Sequence, residues 1–173
     1  MSGHEKKAFG QWLPGSMTSL AGITLAITAM ATGLSLPVLA ELPEAIAQRI
    51  ETLKNSQQRW LEVDLSDQQL TAWQGNTTSQ TITVSTGKPS TPTPIRVFTI
   101  QRKLPQDRMR GADYDVPNVP SVMYYHRGYA IHGAYWHNQF GTPVSHGCIN
   151  VPVEAAQQLF QRTSVGTPVV IHQ

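Results

Sequence analysis

The chain has 173 residues and a mass of 19.0 kDa, which allows one domain of ordinary size. The chain has thirteen lysines and arginines and eleven acidic residues, so its formal net charge is only +2. A nucleic-acid-binding protein needs a dense basic face, and this charge balance excludes that class. Only 14% of the residues are charged, below the roughly 25% of a typical soluble domain, which suits an extracytoplasmic protein that handles polar ligands.

Residues 1–40 have the layout of a secretory signal peptide. Two lysines come first, a mostly apolar run follows, and the segment closes with the small residues Val38 and Ala40. This order predicts cleavage before Glu41. The alternative is an uncleaved N-terminal membrane anchor, because residues 17–36 approach the length of about 20 residues that a span needs. Both interpretations place the remainder outside the cytoplasmic membrane, in the periplasm or cell wall.

Residues 41–58 are predicted to form a short helical spacer or brace. Ile46, Ile50 and Leu53 recur at helical spacing. Pro43 lies early enough in the segment to open its first turn.

Residues 59–173 have the pattern of a single mainly β domain. From Arg59 onwards, apolar and polar residues alternate as they do in strands, and Gly, Pro and Asn mark the turns. The predicted strands are 61–65, 70–73, 81–85, 95–101, 121–125, 129–132 and 168–172. Residues 102–120 form a long polar stretch without a predicted element, and 153–162 is the one clear helix, opened by Pro152. These elements predict an antiparallel or mixed β-sandwich with one short helix after Cys148.

Cys148 is the only cysteine of the chain. Exported proteins usually hold cysteines in disulfide pairs, so a lone cysteine there is inert, intermolecular or chemically employed. The neighbouring residues favour a reactive role for Cys148. An imidazole from His132 or His146, and the start of the following helix, would each lower the thiol pKa. Gly147 lets backbone amides approach a developing oxyanion. A nucleophile, a base and oxyanion donors are the minimal set for acyl transfer through a thioester.

The spacing does not decide which histidine is the base. His146 lies two residues before Cys148, on the same face if the segment is a strand. His132 closes a predicted strand sixteen residues before the cysteine, and a hairpin over 136–144 would bring it alongside.

The run Ser145-His146-Gly147-Cys148-Ile149-Asn150, preceded by His132-Gly133, resembles the active-site signature of the YkuD-type L,D-transpeptidases. The resemblance extends upstream through 63–68, 84–88 and the Thr-Pro-Thr-Pro of 91–94, and it covers 59–172. Two positions depart from the family pattern. Family members often carry Arg where this chain has Asn150, and usually carry Gly where it has Arg96.

The resemblance implies that Cys148 is the nucleophile and His132 the proton donor and acceptor. It further implies that the Gly133 carbonyl orients His132, and that His146 and Gly147 support the oxyanion site beside the Cys148 amide. The implied substrates are peptidoglycan stem peptides, and the implied reaction forms cell-wall crosslinks without a metal or cofactor. Candidate substrate-binding residues are Tyr124, Trp136, Ser145 and Asn150, although aromatic residues such as these more often pack in a core.

Several alternatives remain at this point. The same site would serve an L,D-carboxypeptidase, a ligase that joins proteins to the wall, or an enzyme that cleaves crosslinks. A non-catalytic wall-binding module is the alternative from another class. A zinc site is a further alternative, because three histidines and a thiolate are plausible ligands: His132, His137, His146 and Cys148. Their spacing matches no familiar metal-binding pattern.

Overall fold

A computed structural model describes residues 38–173, with side chains described from Pro43 onwards. Residues 1–37, most of the predicted signal segment 1–40, lie outside the described residues. In chain order, the elements are α1 (Val38–Lys54), β1 (Arg59–Asp64), β2 (Gln69–Gln74), β3 (Thr77–Thr83), β4 (Arg96–Thr99), β5 (Arg102–Arg110), β6 (Asp115–His126), β7 (Tyr129–Gly133), β8 (Ile149–Val151), α2 (Val153–Arg162) and β9 (Pro168–His172). Across 38–173 we find no helix with the length and apolar character that a membrane span requires.

The strands form two sheets that enclose the main core. One sheet has the order β3-β2-β1-β9-β4 and the other β5-β6-β7-β8. Both are mixed, because β1 pairs in parallel with β9 and β7 pairs in parallel with β8. Residues from both sheets and from α2 pack in this core, among them Val63, Leu70, Tyr125, Ile131 and Leu159. The structure therefore confirms the predicted mixed, mainly β fold.

Helix α1 differs at both ends from the predicted 41–58. It begins at Val38, so Pro43 lies inside the helix and does not open it, and it ends at Lys54. Ile46 and Leu53 are buried in a second cluster with Trp60 of β1. The apolar face is what holds the segment against the sheet, so the helix is a brace.

The interpretation of 102–120 as a stretch without elements is wrong. Residues 102–110 form β5, which pairs antiparallel with β6, and β6 begins at Asp115 instead of Ser121. The pattern was hard to recognise because β5 is largely exposed and its polar residues are not confined to alternate positions. The turn between these strands, 111–114, reaches the site described below.

Helix α2 matches its prediction at both ends, with Pro152 at the N-cap. The expected hairpin over 136–144 is wrong, because residues 134–148 form a loop without strands. The short strand β8, which the sequence did not predict, follows this loop directly and carries the chain from Cys148 into α2.

Candidate active site

His132 lies beside the segment that carries Cys148 because β7 and β8 are parallel neighbours. Their register pairs His132 with Asn150, two residues after the cysteine. The imidazole is 2% exposed, and its Nδ1 lies 3.1 Å from the carbonyl oxygen of Gly133. A carbonyl oxygen only accepts, so Nδ1 carries the hydrogen and Nε2 has a free lone pair. The strand pairing therefore supplies an oriented base.

The Cys148 side chain lies at the end of the 134–148 loop and is partly buried. Its thiol is 3.9 Å from the Gly128 carbonyl oxygen, which is a long contact even for sulfur. Burial raises the thiol pKa, and the backbone N–H of Ala130 opposes this effect only in part.

Cys148 and His132 share a cavity of about 320 Å³. None of its lining residues, within the described part of the chain, is an Asp, Glu, Lys or Arg. The lining consists of Met109, Tyr114, Val116, His132, Trp136, His137, Gln139, Val144, Ser145, His146, Cys148 and Asn150. Its volume is at the lower end of the range of small-molecule binding pockets in proteins.

Burial keeps both reacting groups neutral in the free protein. It raises the pKa of the Cys148 thiol to about 11 and lowers the pKa of His132 to about 4. The sequence led us to expect a lowered thiol pKa, and in the free protein this expectation is wrong. A nucleophilic role for Cys148 would therefore require another group to accept the thiol proton, and Nε2 of His132 has a free lone pair for it.

A serine hydroxyl fixes the turn that presents the cysteine. Ser145 Oγ accepts the Gly147 N–H at 3.0 Å and donates to the Cys148 carbonyl oxygen at 2.5 Å. Gly147 has φ +106°, and a Cβ there would lie 2.4 Å from Cε1 of Tyr129. Glycine is therefore required by both conformation and space. Because the Gly147 N–H is already engaged, that residue shapes the turn instead of offering its amide to an oxyanion.

The 86–93 loop holds the same turn from outside. Thr93 Oγ1 accepts the Gly87 N–H at 2.8 Å and donates to the Gly147 carbonyl oxygen at 2.9 Å. Thr91 Oγ1 donates to the Ser145 carbonyl oxygen at 3.2 Å. Sequence reasoning identified the Thr-Pro-Thr-Pro run only as part of the resemblance, and its alternating threonines were the signal for this role.

His146 points to the rim of the cavity. Its Nε2 lies 3.2 Å from Lys88 Nζ and 3.1 Å from Asp113 Oδ2. The ring of Tyr114 packs on the imidazole with ring centroids 4.7 Å apart. Asp113 and Tyr114 come from the β5–β6 turn, within the stretch 102–120 for which the sequence predicted no helix or strand.

The remaining candidate residues divide into two groups. Ser145, Trp136 and Asn150 line the cavity, whereas Tyr124 is not part of the lining. The Tyr124 hydroxyl instead donates to Asp107 at 2.8 Å.

Asn150 is bound by His137, a residue that sequence reasoning considered only as a metal ligand. The Nε2 of His137 meets the Asn150 side-chain amide at 2.8 Å, and its Nδ1 accepts the Gln139 N–H at 3.1 Å. Because Nδ1 accepts, Nε2 carries the hydrogen. The Asn150 amide, whose Nδ2 is placed towards His137, is therefore assigned the opposite orientation, with its oxygen as the acceptor.

The four proposed zinc ligands do not converge. Within residues 38–173, no group of three His, Cys, Asp or Glu side chains is placed to hold a metal ion. The imidazoles of His132, His137 and His146 are each engaged with different partners.

A sequence model of the YkuD family, described as an L,D-transpeptidase catalytic domain, matches residues 58–171. The chain belongs to this family. Comparison with curated protein sequences gives no significant match.

Solved structures of L,D-transpeptidases share the fold. An L,D-transpeptidase from Mycobacterium smegmatis is 26% identical with a TM-score of 0.63, over 67% of this chain and 59% of its own. The LD transpeptidase LdtMt1, solved in complex with imipenem, is 28% identical with a TM-score of 0.62, over 66% and 58%. The catalytic domain of the L,D-transpeptidase of E. faecium is 30% identical with a TM-score of 0.61, over 67% and 98%. This chain thus spans less than two thirds of the first two structures, but nearly all of the isolated catalytic domain.

Proposed function

We propose that this protein is an exported peptidoglycan L,D-transpeptidase that forms cell-wall crosslinks through a Cys148 thioester. The juxtaposition of Cys148 with the oriented, buried imidazole of His132 in one cavity is the observation that carries this proposal. Family membership supplies the reaction class, and the cavity supports an extended stem peptide as the substrate.

In the first half-reaction, Cys148 Sγ attacks the carbonyl carbon of the third stem residue. The thiol proton passes to Nε2 of His132 as the S–C bond forms. The carbonyl C–N bond then breaks, and the imidazolium returns this proton to the leaving amine of the terminal D-residue. The thioester remains on the enzyme.

In the second half-reaction, an amine from a neighbouring stem attacks the thioester carbonyl. Nε2 of His132 takes the proton of this amine and passes it to the departing sulfur, which restores the thiol. The Cys148 amide is the backbone donor available for the oxyanion in both steps, since the Gly147 N–H is bound to Ser145.

The test is intact-protein mass spectrometry after exposure to imipenem, the ligand in the LdtMt1 structure. We expect one covalent adduct on the wild type and none on Cys148→Ala, because the chain has no other thiol. His132→Ala should acylate about 10²- to 10⁴-fold more slowly, the usual contribution of a general base. His146→Ala should be affected less.

An adduct that persists on Cys148→Ala would contradict the nucleophile assignment. A fast His132→Ala with an inactive His146→Ala would exchange the roles of the two histidines. Mass spectrometry of the muropeptides formed from purified stem peptides distinguishes a crosslink from a stem that has only been shortened.

A further inference from the structure

At the rim of the cavity a carboxylate contacts one basic side chain, and a second basic side chain lies beside the first. Asp113 Oδ2 lies 3.1 Å from His146 Nε2, and Lys88 Nζ lies 3.2 Å from the same nitrogen. The Asp113 side chain is 65% exposed, whereas that of His146 is 32% exposed. The acid therefore reaches from an exposed turn to a partly buried base.

The hydrogen-bonding capacity of Nε2 decides how this trio is bonded. One ring nitrogen cannot accept from the Lys88 ammonium and donate to Asp113 at the same time. A carboxylate only accepts, so the contact with Asp113 requires that Nε2 carries its hydrogen. The hydrogen bond from His146 lowers the pKa of the Asp113 carboxyl, and the positive charge of Lys88 nearby acts in the same direction.

The two sides of this contact are anchored differently. The backbone N–H of Lys88 donates to the Ser145 carbonyl oxygen at 3.0 Å, so the lysine is attached to the turn that presents Cys148. Asp113 belongs to the short 111–114 turn, closed by a bond from the Gly111 N–H to the Tyr114 carbonyl oxygen at 2.9 Å. Lys88 is thus tied to the 145–148 turn that carries His146 and Cys148, here called the catalytic turn, whereas Asp113 is on a separate element.

A substrate carboxylate would reach this position by the geometry of an extended peptide. His146 is two residues from Cys148, so their Cα atoms are at most about 7 Å apart. The terminal residue that the reaction expels carries its carboxylate about one residue length, roughly 3.5 Å, beyond the scissile carbonyl. The cavity lining itself offers this charge no lysine or arginine.

From these observations we infer that Lys88 and His146 form a binding subsite for a carboxylate of the donor stem peptide, which Asp113 occupies in the free protein. This inference rests on the proposed function, because it takes the stem peptide as the ligand. Displacement of Asp113 by the substrate replaces one carboxylate contact of His146 with an equivalent one, and Lys88 beside it supplies a positive charge for the peptide carboxylate.

The test measures affinity without turnover, by titration calorimetry on Cys148→Ala protein. The probes are a stem tetrapeptide with a free C-terminal carboxylate, the same peptide as its C-terminal carboxamide, and a third version in which only the side-chain carboxylates are amidated. Charge-assisted hydrogen bonds are worth about 1.5–3 kcal/mol, so the free acid should bind roughly 10- to 100-fold more tightly than the carboxamide.

Three further substitutions are made in the Cys148→Ala background. Lys88→Met should reduce the preference for the acid to near unity and leave carboxamide affinity unchanged. Asp113→Asn should tighten binding of the acid alone, because it removes the internal competitor. Lys54→Met is the matched control, since it removes one lysine charge on α1, away from the site, and should change neither affinity.

An equal loss of acid and carboxamide affinity in Lys88→Met would overturn the inference, as would an Asp113→Asn protein with unchanged acid affinity or the absence of any acid binding. If amidation of the side-chain carboxylates weakens binding and amidation of the C-terminus does not, the subsite binds a side-chain carboxylate of the stem. Wild-type protein that forms no acyl-enzyme while this affinity pattern holds would reject the proposed reaction and leave the carboxylate subsite standing.

Discussion

In the proposed reaction, the resting charges of Cys148 and His132 would determine how the first step starts. With a thiol pKa of about 11 and an imidazole pKa of about 4, both groups are neutral across the physiological range. A preformed thiolate–imidazolium pair would instead react at once with any small electrophile. The neutral pair links deprotonation to the arrival of a substrate whose carbonyl can be attacked.

Because the Cys148 thiol is protonated at pH 7, we predict that iodoacetamide alkylates it slowly at that pH. A thiol pKa two units above the reference value of 9.0 leaves about 100-fold less thiolate than an unperturbed cysteine has. The alkylation rate, followed by intact mass, should rise about tenfold per pH unit towards pH 11. A fast rate that stays level from pH 5 to pH 9 would demonstrate a preformed ion pair and contradict the prediction.

Thr93 is a positioning residue on the opposite side of the catalytic turn. Its buried hydroxyl holds the Gly147 carbonyl oxygen, and in a trans peptide the next N–H points the opposite way. The bond therefore fixes the direction of the Cys148 amide, which is the proposed oxyanion donor.

Substitution of Thr93 separates this role from simple packing. Thr93→Val keeps the shape but leaves the Gly147 carbonyl and the Gly87 N–H unpaired, at a cost of about 1–3 kcal/mol each. We expect imipenem acylation to slow about 10- to 100-fold, and Thr93→Ser to restore most of the rate. Unfolding free energies measured in parallel separate stability from rate, and a Thr93→Val protein that is as fast as the wild type would refute the role.

At the scale of elements, β9 ties the end of the chain to the middle of a sheet. It lies between β1 and β4, parallel to the first and antiparallel to the second. Its last residue, His172, contacts Glu62 of β1 at 3.2 Å, and Trp73 of β2 donates to the same carboxylate at 2.8 Å. This cluster connects three strands away from the active site.

The His172–Glu62 pair predicts a pH dependence of folding stability. The hydrogen bond to Glu62 raises the pKa of His172 to about 9, so its contribution is complete below about 6.5 and is lost as the pH rises through 9. The pKa of Glu62 is lowered by its hydrogen bonds to His172 and Trp73, which outweigh the opposing effect of burial, so its contribution is complete above about 4.5 and is lost in more acidic solution.

Stability from this pair should thus be greatest between about pH 4.5 and 6.5. Allowing for solvent screening, we expect a loss of about 1–2 kcal/mol between pH 6 and pH 9.5. Urea unfolding at both values measures it, and Glu62→Gln should abolish most of the difference. An equal pH dependence in Glu62→Gln would assign the effect to other groups.

At the scale of the whole molecule, the site lies where the two sheets meet through loops. Ser85, in the segment after β3 of one sheet, bridges to Asn150 in β8 of the other, and Gly87 bridges to Ser145. The turn that carries Cys148 is therefore held by both sheets, while Ile46 and Leu53 of α1 pack against Trp60 and Val170 of the five-stranded sheet. The active-site geometry depends on the complete sandwich.

We also predict that the protein is exported and that its mature form begins at Glu41. The predicted cleavage point falls in the first turn of α1, so a mature helix would keep Ile46 and Leu53 on its buried face. Mass spectrometry of the N-terminal peptide from the extracytoplasmic fraction tests this. Recovery of only full-length protein from membranes would support the anchor instead.

The sequence by itself predicted what depends on short-range pattern. Alternation along β1 and β2 and the apolar stripe of α2 are each set by neighbours within a few residues, and the structure confirms them. The Ser-His-Gly-Cys run was recognisable for the same reason, because the turn it forms is built from consecutive residues.

Tertiary structure decided what depends on partners distant in sequence. Strand β8 has three residues and exists because β7 pairs with it, and that pairing places His132 beside Cys148. Strand β5 forms through its ladder with β6 despite its exposed, polar side chains. The neutral thiol is likewise a product of burial, since desolvation comes from the assembled cavity and outweighs the local features that would favour a thiolate.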